Sequence, residues 1–326
     1  MSETENISRL AEIVSKDLFG WFKWHKAKPT NENWECVINH HSKNTHPSDV
    51  VFYYDDPYSG DTQYVNTDLK SYAAKSITKG SIETALTSLA LSVECANVSQ
   101  SWQDKFLMSD EAFGQVSGLL FIYNHDDQYD LDFSSRLEQV DFSAVKIAED
   151  NFITVMGPDL IRRLNDIVQD IKSLVASDEL PRKEGYTFFY PDLIRARRSG
   201  DEWDKPATLQ SLTAPWLIIK HRKTNDQPEG FLIYYNLKGD TVEEFIYLID
   251  AMSHYQMFSG DLGIRIRFTE SDHNASQNFE KAKHEYLRMW GDDEGRQKQM
   301  SKIEVRKIDQ FARMFNPMEI GMREND

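Results

Sequence analysis

Two cysteines, Cys36 and Cys95, are all that the 326 residues contain. Neither has a second cysteine near it in sequence, so neither a disulfide framework nor a cysteine-based zinc site is expected. Positive charge is also scarce: 37 Lys and Arg stand against 53 Asp and Glu, a formal net charge of −16. A protein that grips nucleic acid alone normally carries basic excess, because phosphate contacts dominate affinity. Taken whole, this chain is repelled by nucleic acid. A role there would need metal ions, local basic patches or a basic partner; the alternative is that acidic surface only maintains solubility. No apolar run approaches the length of a membrane span. The start, Met1-Ser2-Glu3-Thr4-Glu5-Asn6, is polar and acidic, unlike a signal or transit peptide. A cytoplasmic protein without membrane contact is expected. Internal repeats and low-complexity tracts are missing. The second half lacks a Gly-rich phosphate loop, a Gly-x-Ser-x-Gly elbow and a kinase signature.

What is present supports a sizeable core. Apolar residues make up 40% of the chain and aromatics 12%, and the length suits one large or two ordinary domains. Ile7, Leu10, Ala11, Val14 and Leu18 follow helical spacing, predicting a helix over residues 8–26. Alternating Trp34, Cys36 and Ile38 predict a strand over 33–40, followed by strands over 49–54 and 63–72. Ile82, Leu86, Leu89 and Val93 predict a long amphipathic helix over 81–98, and Leu119 to Ile122 a buried strand within 118–123. In the second half a helix follows Pro158, and 178–185 reads as a linker. Strands are expected at 186–190, 216–221, 231–235 and 263–268, with a helix at 241–255. Residues 276–315 read as mostly helical. Tyr234-Tyr235 and Phe188-Phe189 are expected in the core.

The stretch from Pro47 to Tyr72 carries the chemistry. Asp49 opens one apolar strand, a turn rich in Asp, Gly and Pro follows, and the next strand bears Asp68-Leu69-Lys70. Residues two apart on a strand share a face, so Asp68 and Lys70 point together and Leu69 away. A hairpin would bring Asp49 to that pair. Two carboxylates can hold a hard divalent cation, and an ammonium beside them can assist an attacking water. The competing reading is a surface cross-strand ion pair between Asp68 and Lys70.

The order helix–strand–strand–strand–helix–strand, with Asp49 and Asp68-Leu69-Lys70 placed 68 − 49 = 19 positions apart, resembles the PD-(D/E)xK nuclease superfamily over about the first 125 residues. Ser48 stands between Pro47 and Asp49, so the literal Pro-Asp is absent. The resemblance implies an α/β fold with a restriction-endonuclease-like αβββαβ core, a mixed sheet flanked by helices. It also implies hydrolysis of phosphodiesters with Mg²⁺ or Mn²⁺. Asp49 and Asp68 would ligate the metal, the Leu69 carbonyl would add a ligand, and Glu12 would join directly or through water, with Asp17 as the weaker candidate. Lys70 would orient the nucleophile or stabilise the charged transition state.

Other clusters carry two readings each. Lys75 and Ser76 could contact phosphate or be a solvated helix start. Tyr72 shares the Asp68/Lys70 face. His40, His41 and His46 lie in one loop, but no set of four converging N/S ligands is visible. Arg195, Arg197 and Arg198, and Lys220, Arg222 and Lys223, could hold DNA phosphates or be solvated ends and loops. Arg296, Lys298, Lys302, Arg306 and Lys307, expected on a late helix, carry the same pair of readings. The acidic loop from Asp126 to Asp132 could dock a basic partner or face solvent.

These observations predict a nuclease-like domain over residues 1–135, a helical connector over 136–185 and a C-terminal α+β domain over 186–326 for partner or substrate binding. The general pattern resembles nuclease subunits of bacterial anti-phage defence systems. That resemblance implies a Mg²⁺-dependent endodeoxyribonuclease, and the net charge of −16 argues for a complex with a more basic protein subunit, self-association being open. The rival from another class is a non-catalytic nuclease-like scaffold or sensor.

Overall fold

A computed structural model of the chain describes residues 9–10, 12–108, 113–191, 203–291 and 293–310. Two compact units emerge, Met1–Asn165 and Asp166–Gln310, the former including residues 311–326, which lie outside the described set. Among the described residues no helix is long and apolar enough to cross a membrane.

The first unit is built on a five-stranded sheet of order β1-β4-β5-β6-β7. Its strands are β1 (His25–Lys26), β4 (Val50–Asp55), β5 (Thr62–Tyr72), β6 (Phe113–Asn124) and β7 (Ile153–Met156). β4 pairs antiparallel with β1 and β5, whereas β5, β6 and β7 run parallel. The mixed sheet is the α/β architecture that the sequence predicts. A separate two-stranded sheet, β2 (Glu32–Glu35) with β3 (Thr45–Ser48), precedes β4. The chain therefore changes sheets at Asp49.

Two local expectations fail near the N-terminus. The helix expected to reach residue 26 ends as a π-turn, Val14–Leu18, and a 3₁₀ turn, Phe19–Phe22. Lys23 adopts φ 64°, a left-handed conformation that halts a helix, and the next residues turn into β1. The strand expected over 33–40 ends at Glu35, a 3₁₀ turn follows at Asn39–His41, and β2 lies outside the main sheet.

Helix α1 (Lys79–Ala96) begins at Thr78, whose hydroxyl accepts from the Ser81 amide in a capping box. Its Ile82, Leu86, Leu89 and Val93 are buried against Leu120 and Ile122 of β6. Gly118 allows this approach: a Cβ there would lie 2.9 Å from a Val93 methyl and 3.1 Å from Ile153. Helix α2 (Gln100–Phe106) adds Trp102 and Phe106 to a second core with Trp34, Val51, Tyr64 and Cys95. The segment expected as a connector holds β7 and, after the short helix α3 (Phe133–Leu137), helix α4 (Pro158–Ala176). The two units divide within α4, between Asn165 and Asp166.

The second unit has a mixed sheet of order β12-β11-β10-β9-β8. These strands are β8 (Tyr186–Phe188), β9 (Trp216–His221), β10 (Gly230–Tyr235), β11 (Gly263–Phe268) and β12 (Ile303–Lys307). Helices α5 (Leu209–Thr213), α6 (Val242–His254), α7 (Ala275–Trp290) and α8 (Glu294–Ser301) complete it. Phe188, Tyr234 and Tyr235 are buried, as their strands predict. The mostly helical reading of 276–315 fails at β12, where Ile303 and Val305 alternate with Glu304 and the strand pairs parallel with β11.

Candidate active site

β5 presents Asp68 and Lys70 half-exposed and Leu69 buried between them, the alternation that a strand imposes. Lys70 Nζ lies 2.6 Å from Asp68 Oδ1. Asp49, at the junction of β3 and β4, accepts the Leu69 backbone N–H at 2.8 Å through Oδ2. The Asp49 carbonyl in turn accepts the Asn31 amide at 2.7 Å. Asp49 and Asp68 line one small cleft with Pro47, Asn66, Thr67, Ser88, Leu89 and Ser92.

Electrostatics follow from this crowding. Burial and the neighbouring Asp68 charge push the Asp49 carboxyl up to about 7, against the Leu69 amide and the Lys70 ammonium, which favour its anion. Burial alone would lower the Lys70 pKa, but the Asp68 and Asp49 charges prevail and raise it, so Lys70 stays cationic. The Tyr72 phenol is raised by burial and senses both Lys70 and Asp68, in keeping with its place on their face.

A buried polar chain fixes the approach to Asp49. Trp34 Nε1 donates to Ser48 Oγ at 2.9 Å, and Ser48 Oγ donates to Asn66 Oδ1 at 2.6 Å. Asn66 Nδ2 donates to Ser92 Oγ at 2.8 Å, which reaches back to the Pro47 carbonyl at 3.4 Å. Sequence reasoning missed Ser48, Asn66 and Ser92. The extra residue between Pro47 and Asp49 is the hinge of this chain.

The remaining expected site residues are not drawn into these contacts. Glu12 is exposed and ion-pairs with Lys26 of β1. Lys75 is exposed on the 3₁₀ turn Ala74–Ser76 that follows β5. In the second unit Lys220 Nζ and the Arg222 guanidinium lie over the Trp203 ring, 5.3 and 4.7 Å from its centroid, and Lys223 is exposed. Arg195, Arg197 and Arg198 lie outside the described residues. Of the late basic stretch, Arg306 and Lys307 sit on β12 rather than a helix. Arg296, Lys302 and Arg306 pair with Asp293, Asp261 and Glu304. In the acidic loop Asp126 accepts the Ala74 amide and so braces the end of β5.

A second cluster contradicts the expectation that no four N/S ligands converge. One ligand atom each from Cys36, His41, His46 and Cys95 lie within 4.8 Å of one another, and His40, His41 and Glu94 form an overlapping group. Cys95 lies far along the sequence in the last turn of α1, so only the fold brings it to the histidine loop. Burial pushes its thiol up to about 11, and burial lowers the His46 imidazole to about 4.

No curated protein matches this chain. Residues 1–160 match the family described as the GAPS4 protein PD-(D/E)XK nuclease domain. The sheet order, the paired Asp49 and Asp68 with Lys70 beside them, and this match agree on a PD-(D/E)XK nuclease-like fold over residues 1–160.

Proposed function

We propose that the chain is a divalent-metal-dependent endonuclease acting on DNA through Asp49, Asp68 and Lys70, as a subunit of a bacterial anti-phage defence complex. The observation that carries the site assignment is two carboxylates on one cleft, Asp49 held by the Leu69 amide and Asp68 paired with the Lys70 ammonium. The donors fit a hard cation: they are oxygens, and the burial and Asp68 repulsion that raise the Asp49 carboxyl to about 7 are what a divalent ion would offset. Asp49, Asp68 and the Leu69 carbonyl are the residues that would hold Mg²⁺ or Mn²⁺. Such an ion supplies charge neutralisation at phosphate and a bound water of lowered pKa.

The side chains divide the remaining work. Asp68 holds the Lys70 ammonium at the edge of the cleft. The upward shift of Lys70 keeps it charged near neutral pH, so it acts by placing positive charge against the developing phosphorane rather than as a general base. Asp49 is fixed by its hydrogen bond from Leu69, so the cleft needs little reorganisation.

DNA as substrate and membership of a defence complex rest on the resemblance to nuclease subunits of such systems. The need for a more basic partner rests on the net charge of −16. The test is cleavage of supercoiled plasmid and of single-stranded RNA with Mg²⁺, by the chain alone and with the product of the adjacent gene. Asp68→Ala and Lys70→Ala should each lower plasmid cleavage by about 100-fold or more. Cleavage that survives both substitutions overturns the site, and cleavage of RNA alone overturns the substrate.

A further inference from the structure

Four side chains that the proposed nuclease chemistry does not use meet in the first unit. Cys36 follows β2, His41 closes the 3₁₀ turn Asn39–His41, His46 lies on β3, and Cys95 comes from the last turn of α1. His41, His46 and Cys95 are buried and Cys36 is half-buried. Cys36 Sγ lies 3.9 Å from Cys95 Sγ and 3.6 Å from His41 Nδ1, and His41 Nδ1 lies 3.2 Å from His46 Nε2.

These three separations match three of the six edges of a metal tetrahedron, and one ligand atom from each of the four residues lies within 4.8 Å of the others. Zinc–sulfur bonds of about 2.3 Å and zinc–nitrogen bonds of about 2.05 Å at tetrahedral angles give edges of about 3.8 Å between sulfurs, about 3.6 Å from sulfur to nitrogen and about 3.3 Å between nitrogens. All three observed separations fall within about 0.2 Å of those edges.

The surroundings are also those of a ligand set. His41 Nε2 faces Glu94 Oε2 at 3.2 Å. A carboxylate there fixes the proton on Nε2 and leaves the Nδ1 lone pair turned toward the two cysteines and His46. The Val37 backbone N–H donates to Cys95 Sγ at 3.3 Å, a contact that favours thiolate. Both cysteines are free rather than bonded to each other.

We propose that Cys36, His41, His46 and Cys95 form a structural Cys₂His₂ zinc site that ties the β2–β3 hairpin to the C-terminal turn of α1, with Glu94 as a positioning residue. Two thiolates and two imidazoles select zinc over the hard cations suited to Asp49 and Asp68. Four protein ligands leave no open position, which marks a structural rather than a catalytic ion. The consequence reaches the cleft, because His46 lies on the strand that delivers Asp49. The zinc site is independent of whether the chain cleaves DNA.

The test is metal content of the purified full chain by mass spectrometry, followed by replacement of the ion with cobalt. We expect about one zinc per chain. Cobalt should give the visible bands of a tetrahedral site together with thiolate-to-metal charge transfer. Cys36→Ser and His46→Ala should lose the zinc, Glu94→Gln should weaken retention against a chelator by about 10-fold or more, and Asp68→Ala should keep it. If the ligand variants do not fold, the cobalt spectrum of the unmodified chain decides: an absent thiolate band overturns the proposal. A chain that purifies without zinc and takes up no cobalt overturns it equally, as does zinc lost with Asp68→Ala but kept in Cys36→Ser.

Discussion

Asp49 is a carboxylate held in its acid form up to about pH 7 by burial and by Asp68. A group that must lose this proton to bind a cation links metal affinity to pH. Mn²⁺ affinity at the cleft should therefore rise by roughly tenfold per unit as pH increases toward 7 and level off above it. Calorimetric titration at pH 6, 7 and 8 reads this, and a flat profile would remove Asp49 from the ligand set. The same shift acts on stability. The folded pKa lies above the unfolded value of about 3.9, so the folded state binds more protons between the two, and stability falls as pH rises through that window. Asp49→Asn keeps an acceptor for the Leu69 amide and discards the charge. Without added Mn²⁺ or Mg²⁺ it should be more stable than the unmodified chain at pH 8 by roughly 1–3 kcal/mol, with little difference at pH 4. Urea denaturation at both pH values is the check. Asp68, Leu69 and Lys70 were legible because strand periodicity alone decides which of them share a face. Cys95 as a partner of Cys36, His41 and His46 was not. No local pattern links a residue in a helix's last turn to a loop before the sheet.

The elements around the cleft are joined by the Trp34–Ser48–Asn66–Ser92 chain, which couples β2, β3, β5 and α1. Ser48→Ala would strand the buried Trp34 Nε1 and Asn66 Oδ1, and each unpaired group costs about 1–3 kcal/mol. A loss of roughly 2–4 kcal/mol in denaturation is expected, together with weaker Mn²⁺ binding. Unchanged stability would mean that water replaces the hydroxyl and that the chain does not position Asp49. Packing of α1 on β6 offers a second test at this scale. Gly118→Ala would push a methyl against Val93, Ile153 and Leu89 and should destabilise by about 1–3 kcal/mol. The long strands and α1 were readable because their apolar period is unbroken over many residues. Residues 19–26 were not, since Phe19, Trp21, Phe22 and Trp24 are apolar on every side and hide where the helix stops. At β12 the period-two signal of Ile303 and Val305 is only three residues long, and the helical pattern before it masks it.

At the scale of the molecule, several of the cations that could offset the acidity seen in the composition already have acidic or aromatic partners. Arg265 and Arg267 of β11 are buried: Arg265 pairs with Glu179 at 3.5 Å, and Arg267 lies 3.8, 3.9 and 3.6 Å from Asp170, Glu179 and Glu304. Lys220 and Arg222 are engaged with Trp203, and Lys302 with Asp261. Cations paired with carboxylates displace fewer counterions from DNA, and that release drives most non-specific affinity. The chain alone should therefore bind duplex DNA weakly at about 0.15 M salt, whatever its cleft can hydrolyse. A complex with a basic partner should bind more tightly, and its affinity should fall steeply with salt, with a log–log slope of about −0.9 for each phosphate neutralised. Fluorescence anisotropy with a labelled duplex, across a salt series and with and without the partner, separates the two. Tight, salt-sensitive binding by the chain alone would place the basic surface in this chain and remove the electrostatic argument for a partner.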